Sequence, residues 1–453
     1  MKHTGFVPII ILMCISSCNT GNNEKAEQMD TIKLMTVDPG HFHAALVQKS
    51  MYDNVSPEAY VYAPGGNDLD LHLDRIKAFN NRENNPTSWI ENTYAGDNFF
   101  EEMIEKRPGN VVVLAGSNNK KTDYILKSVT AGLNVLADKP MVITPDKFPL
   151  LEKAFEAARE KNVLLYDIMT ERYEITTMLQ KALSQKADLF GSLVKGSAEE
   201  PAVTKESTHH FFKYVSGSAL VRPPWFFDTN QQGEGIVDVT THLVDLIQWE
   251  CYPEIILNKS DIEIISARRW PTILSKDDFK KVTGLEEFPP YLEKYNIDGN
   301  IQVYANGEII YKIKDTWAKV VVEWKYMAPE GTGDTHYSIM RGSKCDLFIR
   351  QGKDENYRPA LYLRTHTNEI DTDFINTIVH DLPWKGITVE SVGDMIWKFS
   401  IPDEYRAGHE AHFSQVTEKY IEYLEKGNMP EWEVPNMIVK YYTTMEALKK
   451  ALE

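Results

Sequence analysis

The chain has 453 residues, of which 42% are hydrophobic and 25% charged, an ordinary composition for a globular protein of two or three domains. Its net charge of -17 argues against a nucleic-acid partner and against adhesion to an anionic lipid surface. None of the four cysteines is spaced as C-x-x-C, so the cysteines indicate no metal site. A disulfide between Cys251 and Cys345 is possible but does not follow from the sequence.

The N-terminus has the pattern of an export signal. Lys2 and His3 precede an apolar run over residues 6–15, and a stretch of small residues ends at Cys18. The run is too short to span a bilayer. The residues before Cys18 resemble a bacterial lipobox, in which the cysteine is lipidated. We therefore predict a signal peptide over residues 1–18, a polar tether over 19–30, and an exported protein held by a lipid at the periplasmic or outer membrane.

Buried strands alternate with helices from residue 31 to residue 168. This alternation predicts a doubly wound parallel sheet of the Rossmann type, which is the dinucleotide-binding architecture. The predicted strands cover residues 31–37, 59–63, 110–115, 132–138 and 163–167.

The predicted strand over 132–138 ends in Asp138, Lys139 and Pro140. Because Pro140 stops the strand's hydrogen-bond ladder, Lys139 should lie at the carboxyl end of the sheet, where open α/β folds bind ligands. The alternative is a solvated lysine in an ordinary strand-to-loop turn.

The first strand leads through Asp38, Gly40 and His43 into a helix, which is the opening of a dinucleotide-binding unit. Only the middle glycine of the usual three is present, and the Asp38 carboxylate would oppose a pyrophosphate. The second strand does not end in an Asp or Glu, the residue that usually binds a ribose hydroxyl of the nucleotide. A turn that binds no phosphate is therefore the alternative. After the third strand, Ser117, Asn118 and Asn119 could either cap a helix or bind a ligand's polar edge.

Longer, alternating strands appear after residue 168, and they predict an α+β domain with an open, mainly antiparallel sheet over residues 169–453. Asn306-Gly307 separates two of these strands and predicts a hairpin turn. Trp225 lies in an aromatic loop that could stack on a sugar or pack on the sheet.

A helix is predicted from Gly233 through Trp249, with Asp238 and His242 four residues apart on one face. The Asp238 carboxylate could then orient the His242 imidazole or raise its basicity. A surface salt bridge is the alternative.

Two further patterns suggest a metal. His409 and His412 could share a helix face and bind a metal, contact a substrate, or pack within the helix. The alternating acids and histidine over residues 68–74 fit a capped helix start better than a metal site. We expect no metal site.

These pieces together resemble the glucose–fructose oxidoreductase, inositol dehydrogenase and MocA family. Asp138-Lys139-Pro140 matches the family's Glu-Lys-Pro element. The glycine-rich entry at 233–235 and the Asp238, His242 and Asp245 spacing match its helix that carries Asp, His and Asp. The resemblance covers residues 31–250 well and residues 318–350 loosely, and it implies a Rossmann domain followed by a substrate-binding sheet.

The chemistry that the resemblance implies is hydride transfer between a sugar carbinol and NAD or NADP, with the nucleotide tightly held. His242 would be the general base, Lys139 would stabilise negative charge on the substrate oxygen, and Asp238 would orient the site. The cofactor would lie across Gly40, His41, Phe42, Ser117, Asn118, Asn119 and Asp138. Candidate substrate contacts are Arg172, Trp225 and His409. A homo-oligomer is expected from the fold alone.

Two other functions use the same fold. The first is glycoside cleavage, as a hydrolase or lyase, through transient oxidation of a sugar carbon. The second is carbohydrate binding by a lipoprotein that has lost its cofactor, which Asp38 and the missing glycines favour and the Lys139, Asp238 and His242 set disfavours.

Overall fold

The computed structural model describes Met1 and residues 31–215, 218–330 and 332–453. Ile32–Glu453 forms one compact unit. The predicted signal peptide, Cys18 and the tether fall on residues outside the described ones. None of the described helices is long and apolar enough to cross a bilayer.

A six-stranded parallel sheet forms the first half, in the order β3-β2-β1-β4-β5-β6. Its strands are β1 (Leu34–Val37), β2 (Glu58–Ala63), β3 (Ile90–Ala95), β4 (Val111–Leu114), β5 (Asn134–Asp138) and β6 (Leu165–Ile168). The intervening helices are α1 (His43–Leu46), α2 (Asn67–Asn81), α3 (Phe99–Lys106), α4 (Lys121–Thr130) and α5 (Phe148–Lys161). This order is that of a doubly wound dinucleotide-binding fold, so the predicted Rossmann architecture is confirmed.

The central strands are continuous apolar runs because helices cover both faces of the sheet. All four residues of β4 are buried, and so are the last four of β5. β3 is the exposed edge strand, and sequence reasoning missed it because its residues alternate weakly and most remain accessible.

The second half is built on a ten-stranded, mainly antiparallel sheet in the order β10-β12-β13-β7-β14-β15-β16-β18-β17, with β11 beside β12. Its strands are β7 (Val203–Phe212), β10 (Ile262–Leu274), β11 (Asn296–Ile297), β12 (Asn300–Ile313), β13 (Thr316–Met327), β14 (Thr335–Arg341), β15 (Cys345–Gln351), β16 (Ala360–Thr365), β17 (Thr388–Gly393) and β18 (Ile396–Ser400). A short separate pair consists of β8 (Tyr214–Val215) and β9 (Ser218–Ala219). The predicted fold class is thus confirmed in both halves.

The helices of this half are α6 (Ile175–Ser184), α7 (Thr229–Gln232), α8 (Thr240–Cys251), α9 (Lys276–Thr283), α10 (Thr372–His380), α11 (His409–Lys426) and α12 (Glu433–Leu452). The C-terminal helices return to the first half, where α11 packs near β6 and α12 packs against α5, and α12 also packs against α8 of the second half. Cys251 and Cys345 are free thiols.

The predicted hairpin at Asn306-Gly307 is wrong, because both residues lie inside the single strand β12. The Asn306 amide donates to the Trp270 carbonyl and accepts from the Trp324 backbone N–H, at 2.9 and 2.6 Å. A Cβ on Gly307 would lie 2.6 Å from that of Ile236. Glycine is therefore needed there for close approach of another segment, not for a turn.

Candidate active site

Lys139 directly follows β5 at the carboxyl end of the parallel sheet. The Lys139–Pro140 peptide bond is cis. The Lys139 ammonium lies 2.5 Å from Asp238 Oδ1, and the two side chains are only 10% and 6% exposed. Lys139 is therefore half of a buried ion pair that joins the parallel-sheet half of the molecule to the segment before α8.

Asp238 occupies the turn that precedes α8, which begins at Thr240 and not at Gly233 as the sequence pattern predicts. The second carboxylate oxygen of Asp238 accepts a hydrogen bond of 3.1 Å from the Gln232 side-chain amide. Both oxygens are thus used by Lys139 and Gln232. The predicted pairing of Asp238 with His242 is wrong, since among the described residues the structure gives Asp238 no hydrogen bond to that imidazole.

His242 lies in the first turn of α8 and is 9% exposed. Its Nδ1 atom is buried without a hydrogen-bond partner among the described residues. Burial first and the Lys139 charge second lower the pKa of His242, Glu171 partly opposes them, and the net value is about 4. The imidazole is therefore neutral at pH 7, which is the form that accepts a proton.

His41 and His43 project from the turn between β1 and α1 towards Asp138 at the end of β5. His43 Nδ1 lies 2.9 Å and His41 Nδ1 4.0 Å from the same Asp138 oxygen. Burial lowers the pKa of both histidines well below the ordinary value. The two imidazoles contact each other directly, with centroids 4.0 Å apart, and Phe42 packs against both, with its ring centroid 4.7 and 4.5 Å from theirs.

The start of α11 brings more histidines to this end of the sheet. His409 Nδ1 lies 3.5 Å from a carboxylate oxygen of Glu171, and its ring centroid is 5.8 Å from that of His43. Burial raises the pKa of Glu171, but the hydrogen bond from His409 and the charges of His409, His242 and His412 together outweigh it, and the net shift is downwards. His412 Nδ1 is buried without a partner among the described residues. The structure thus places His409 beside His43 and Glu171, and its contact with substrate stays a prediction.

Arg172 and Trp225, the other two predicted substrate contacts, are engaged with protein groups. Arg172 makes two hydrogen bonds of 2.7 Å to Asp245 and two of 3.0 and 3.1 Å to Glu433. Trp225 Nε1 donates a 2.9 Å hydrogen bond to Asp68. This geometry favours a structural role for both side chains, and a contact with substrate stays a prediction.

The predicted cofactor loop does not form a cradle for a pyrophosphate. The Gly40 N–H donates to the Asp38 carbonyl and the His41 N–H to the Ala115 carbonyl, at 2.8 and 3.1 Å, so neither is free for a phosphate. A Cβ on Gly40 would lie 3.1 Å from both Asp68 Oδ2 and Trp225 Cζ2, which means that these side chains cover the loop. The helix that follows, α1, has only four residues and offers little dipole.

The other predicted cofactor residues are also bonded within the protein. Asn118 donates from its backbone to Gln231 and from its side chain to the Gln232 carbonyl, at 2.8 and 2.7 Å. The Ser117 hydroxyl donates to the Asn119 side chain at 3.1 Å. Asn118 therefore holds the segment that carries Gln232 against the carboxyl end of β4. In this arrangement the Gly40, His41 and Asn118 N–H groups and the Ser117 hydroxyl are all engaged within the protein.

Sequence reasoning missed three members of this site, namely His43, Gln232 and Glu171. His43 stands where the third glycine of the usual fingerprint would be, and its spacing from His41 is itself a signal for a ligand pair. Gln232 and Glu171 carry no pattern in the sequence. Only the folded chain brings them to Asp238 and His409.

The comparisons with known proteins agree with this architecture. The family described as "Putative oxidoreductase C terminal domain" matches residues 179–452. The chain belongs to this oxidoreductase family. The crystal structure of a "putative oxidoreductase" from Parabacteroides merdae has 52% sequence identity and a TM-score of 0.90, and the match covers 93% of this chain and 98% of that one. No curated protein matches the chain.

Two more distant structures share the fold of this oxidoreductase family member. KijD10, a 3-ketoreductase from Actinomadura kijaniata in complex with NADP and TDP-benzene, has a TM-score of 0.55 at 12% identity, over 93% of this chain and 97% of that one. Levoglucosan dehydrogenase, in complex with NADH and levoglucosan, has a TM-score of 0.58 at 10% identity, over the same shares. At these identities the similarity shows the fold alone.

Proposed function

We propose that this protein is an oxidoreductase that acts on a sugar or a sugar-like polyol at the site formed by Lys139, Asp238 and His242. The observation that carries the proposal is the buried contact between Lys139 and Asp238, because it holds an ammonium group at the ligand-binding end of the sheet. Membership of the oxidoreductase family supports the reaction class.

The three side chains have distinct tasks in this proposal. Lys139 donates a hydrogen bond to the substrate oxygen and stabilises negative charge that develops on it. Asp238 fixes the Lys139 side chain, with Gln232 holding the second oxygen of Asp238. His242 accepts the hydroxyl proton. Since burial holds its pKa near 4, His242 is a weak base, and the substrate hydroxyl must be acidified by Lys139 for the transfer to proceed.

A nicotinamide nucleotide, NAD or NADP, is the redox partner that we propose from distant structures that share the fold. KijD10 is in complex with NADP and levoglucosan dehydrogenase with NADH. KijD10 is also in complex with TDP-benzene and levoglucosan dehydrogenase with levoglucosan, and the second ligand, a sugar derivative, supports a carbohydrate partner. The arrangement around Gly40 opposes this part of the proposal, because its backbone N–H groups are bonded within the protein.

That same loop favours a second candidate function. With Trp225 and Asp68 over Gly40 and the Gly40 and His41 N–H groups bonded within the protein, the protein could bind a carbohydrate without any nucleotide. Lys139 and His242 would then serve as polar contacts for sugar hydroxyls. Export, a lipid anchor on Cys18 and assembly into a homo-oligomer complete the proposal, and they fit both candidates.

Mass spectrometry of the material released from the denatured, purified protein tests the proposal. We expect NAD or NADP, and we expect an oxidised sugar when the protein is incubated with a panel of mono- and oligosaccharides and either nucleotide. Shortened oligosaccharides among the products would instead indicate glycoside cleavage. A protein that contains no nucleotide, gains none when it is added and leaves every sugar unchanged would exclude the oxidoreductase proposal, and sugar binding in that protein would support the second candidate.

A further inference from the structure

We propose that His41, His43 and Asp138 form a binding site for one divalent transition-metal ion. The three side chains come from two separate segments, the turn after β1 and the end of β5, which lie 95 residues apart in sequence. Their ligand atoms all lie within 4.8 Å of one another. Among the described residues, this is the one group of three or more His, Cys, Asp or Glu side chains arranged in this way.

The distances suit a metal after small adjustments. In a tetrahedral site with metal–ligand bonds of about 2.0–2.2 Å, neighbouring ligand atoms are about 3.3–3.6 Å apart. The Asp138 oxygen is 2.9 Å from His43 Nδ1 and 4.0 Å from His41 Nδ1, values on either side of that range. His41 Nδ1 accepts a long, 3.3 Å hydrogen bond from the His43 backbone N–H, and a metal would replace it.

The backbone around the ligands is held in place, so little has to be ordered when the metal binds. His41 is fixed by its N–H bond to the Ala115 carbonyl at the end of β4, and Asp138 closes the buried strand β5. The His43 ring packs on Phe413 of α11, with centroids 4.5 Å apart. Preorganised side chains of this kind bind metals more tightly than ligands on free loops.

The donor set selects the class of metal. Two imidazoles and one carboxylate suit Zn²⁺, Fe²⁺, Co²⁺ or Ni²⁺, whereas Ca²⁺ and Mg²⁺ prefer sites made only of oxygen atoms. Three protein ligands leave at least one coordination position open, as in catalytic rather than structural zinc sites. Asp138 precedes Lys139, so the open position lies at the same end of the sheet as the proposed active site.

Two lysines near the site do not block it. Lys139 is paired with Asp238, and the Lys121 ammonium donates to the Asn118 side chain and to the Asp138 carbonyl at 2.5 and 3.0 Å. Both positive charges are therefore directed at other oxygen atoms. The alternative role of the cluster is an ordinary buried hydrogen bond between His43 and Asp138 with no metal.

Metal binding by the full chain distinguishes these two roles. After treatment with a chelator, the protein is titrated with ZnCl₂ and CoCl₂, and the bound metal is counted by elemental analysis and followed by visible Co²⁺ spectra. We expect one ion per chain. With Co²⁺ we expect intense visible absorption bands, which indicate a low coordination number. Substituting His43→Ala or Asp138→Asn should weaken binding roughly 100-fold or more, since each removes a direct ligand.

The matched control is His380→Ala, because that side chain is 86% exposed and lies outside the cluster. Circular dichroism shows which variants fold. If a ligand variant fails to fold, X-ray absorption of the Zn²⁺-loaded wild-type protein replaces it, and two imidazole ligands are expected. Wild-type binding no tighter than that of His43→Ala, or an absorption spectrum without two imidazoles, would overturn the proposal. Neither the binding titration nor the absorption spectrum depends on turnover, so the metal site is tested separately from the proposed function.

Discussion

At the scale of single residues, the Lys139–Asp238 pair dominates the site because both charges are almost fully buried. Removing one partner of a buried pair leaves an uncompensated charge, whereas removing both leaves none. The pair should therefore behave as a unit in stability measurements.

We expect Asp238→Asn to lower the free energy of unfolding by about 3–5 kcal/mol, because Lys139 then remains buried without its counter-ion. The double variant Lys139→Met with Asp238→Asn should lose clearly less than the sum of the two single losses. Urea unfolding of the wild-type protein, the two single variants and the double variant measures these losses. Additive losses would show that the two side chains do not interact.

His72 makes a second residue-level prediction. It is 1% exposed in α2, neither ring nitrogen has a partner among the described residues, and burial lowers its pKa to about 4. As the pH falls from 6.5 towards 4, the unfolded chain takes up this proton before the folded one, so stability is lost over that window. Above about pH 6.5 His72 is neutral in both the folded and the unfolded chain, and this loss of stability is absent.

Replacing His72 by leucine should therefore remove part of the acid sensitivity. We expect the difference in unfolding free energy between pH 7 and pH 5 to shrink by on the order of 1–2 kcal/mol in His72→Leu. The exposed control His380→Leu should keep the wild-type difference. An unchanged pH dependence in His72→Leu would refute the assignment.

At the scale of elements, two segments position the site. The turn before α8 carries Asp238, and its neighbour Ile236 packs against Gly307 of β12. Helix α12 is fixed through Lys440, whose ammonium lies 2.7 Å from Asp167 of β6 and 2.8 Å from Asp245 of α8. The Ile236 contact lies within the second half, whereas the Lys440 network joins β6 of the first half to α8 and α12 of the second.

Because Gly307 and Ile236 approach each other closely, even a methyl group at position 307 should lower stability measurably. A Cβ there would lie 2.6 Å from that of Ile236, so Gly307→Ala should push away the turn that carries Asp238 and cost about 1–3 kcal/mol of stability. Gly408→Ala, where a Cβ meets no atom within 4 Å, is the control and should change stability little. Thermal unfolding compares the two, and equal stability would contradict the packing described.

The buried network around Lys440 makes the corresponding prediction for α12. Lys440→Met leaves Asp167 and Asp245 short of a cation and should destabilise the protein by about 3 kcal/mol or more. Lys426→Met, at a side chain 61% exposed, should change stability by less than about 0.5 kcal/mol. A native melting temperature in Lys440→Met would show that the network contributes nothing.

At the scale of the whole molecule, the sequence predicts what depends on local patterns. Apolar runs with helices between them predict the parallel sheet, and the strand predicted over 132–138 ends at Asp138, as β5 does. Lys139 is predicted at the end of its strand for the same reason. Asn306-Gly307 fails as a hairpin because tertiary contacts of the Asn306 side chain override its local preference for a turn.

The partners of the site residues could not be predicted, because they come from distant parts of the chain. Lys139 and Asp238 are 99 residues apart, and Arg172 and Glu433 are 261 apart. A helical spacing of four residues suggested that Asp238 serves His242, yet the irregular turn before Thr240 directs the carboxylate to Lys139. The sequence thus indicates which groups carry the chemistry but not which of them meet.

The central claim is that Lys139 and His242 act on a hydroxyl group of a sugar, and the direct test is the turnover of the first sugar that the wild-type protein converts. We expect kcat to fall about 100-fold or more in Lys139→Met and in His242→Ala, with KM changed much less, because both groups act on charge that develops in the transition state. Lys426→Met, an exposed lysine variant, should keep the wild-type rate. Near wild-type kcat in either site variant, with the fold intact, would contradict the account.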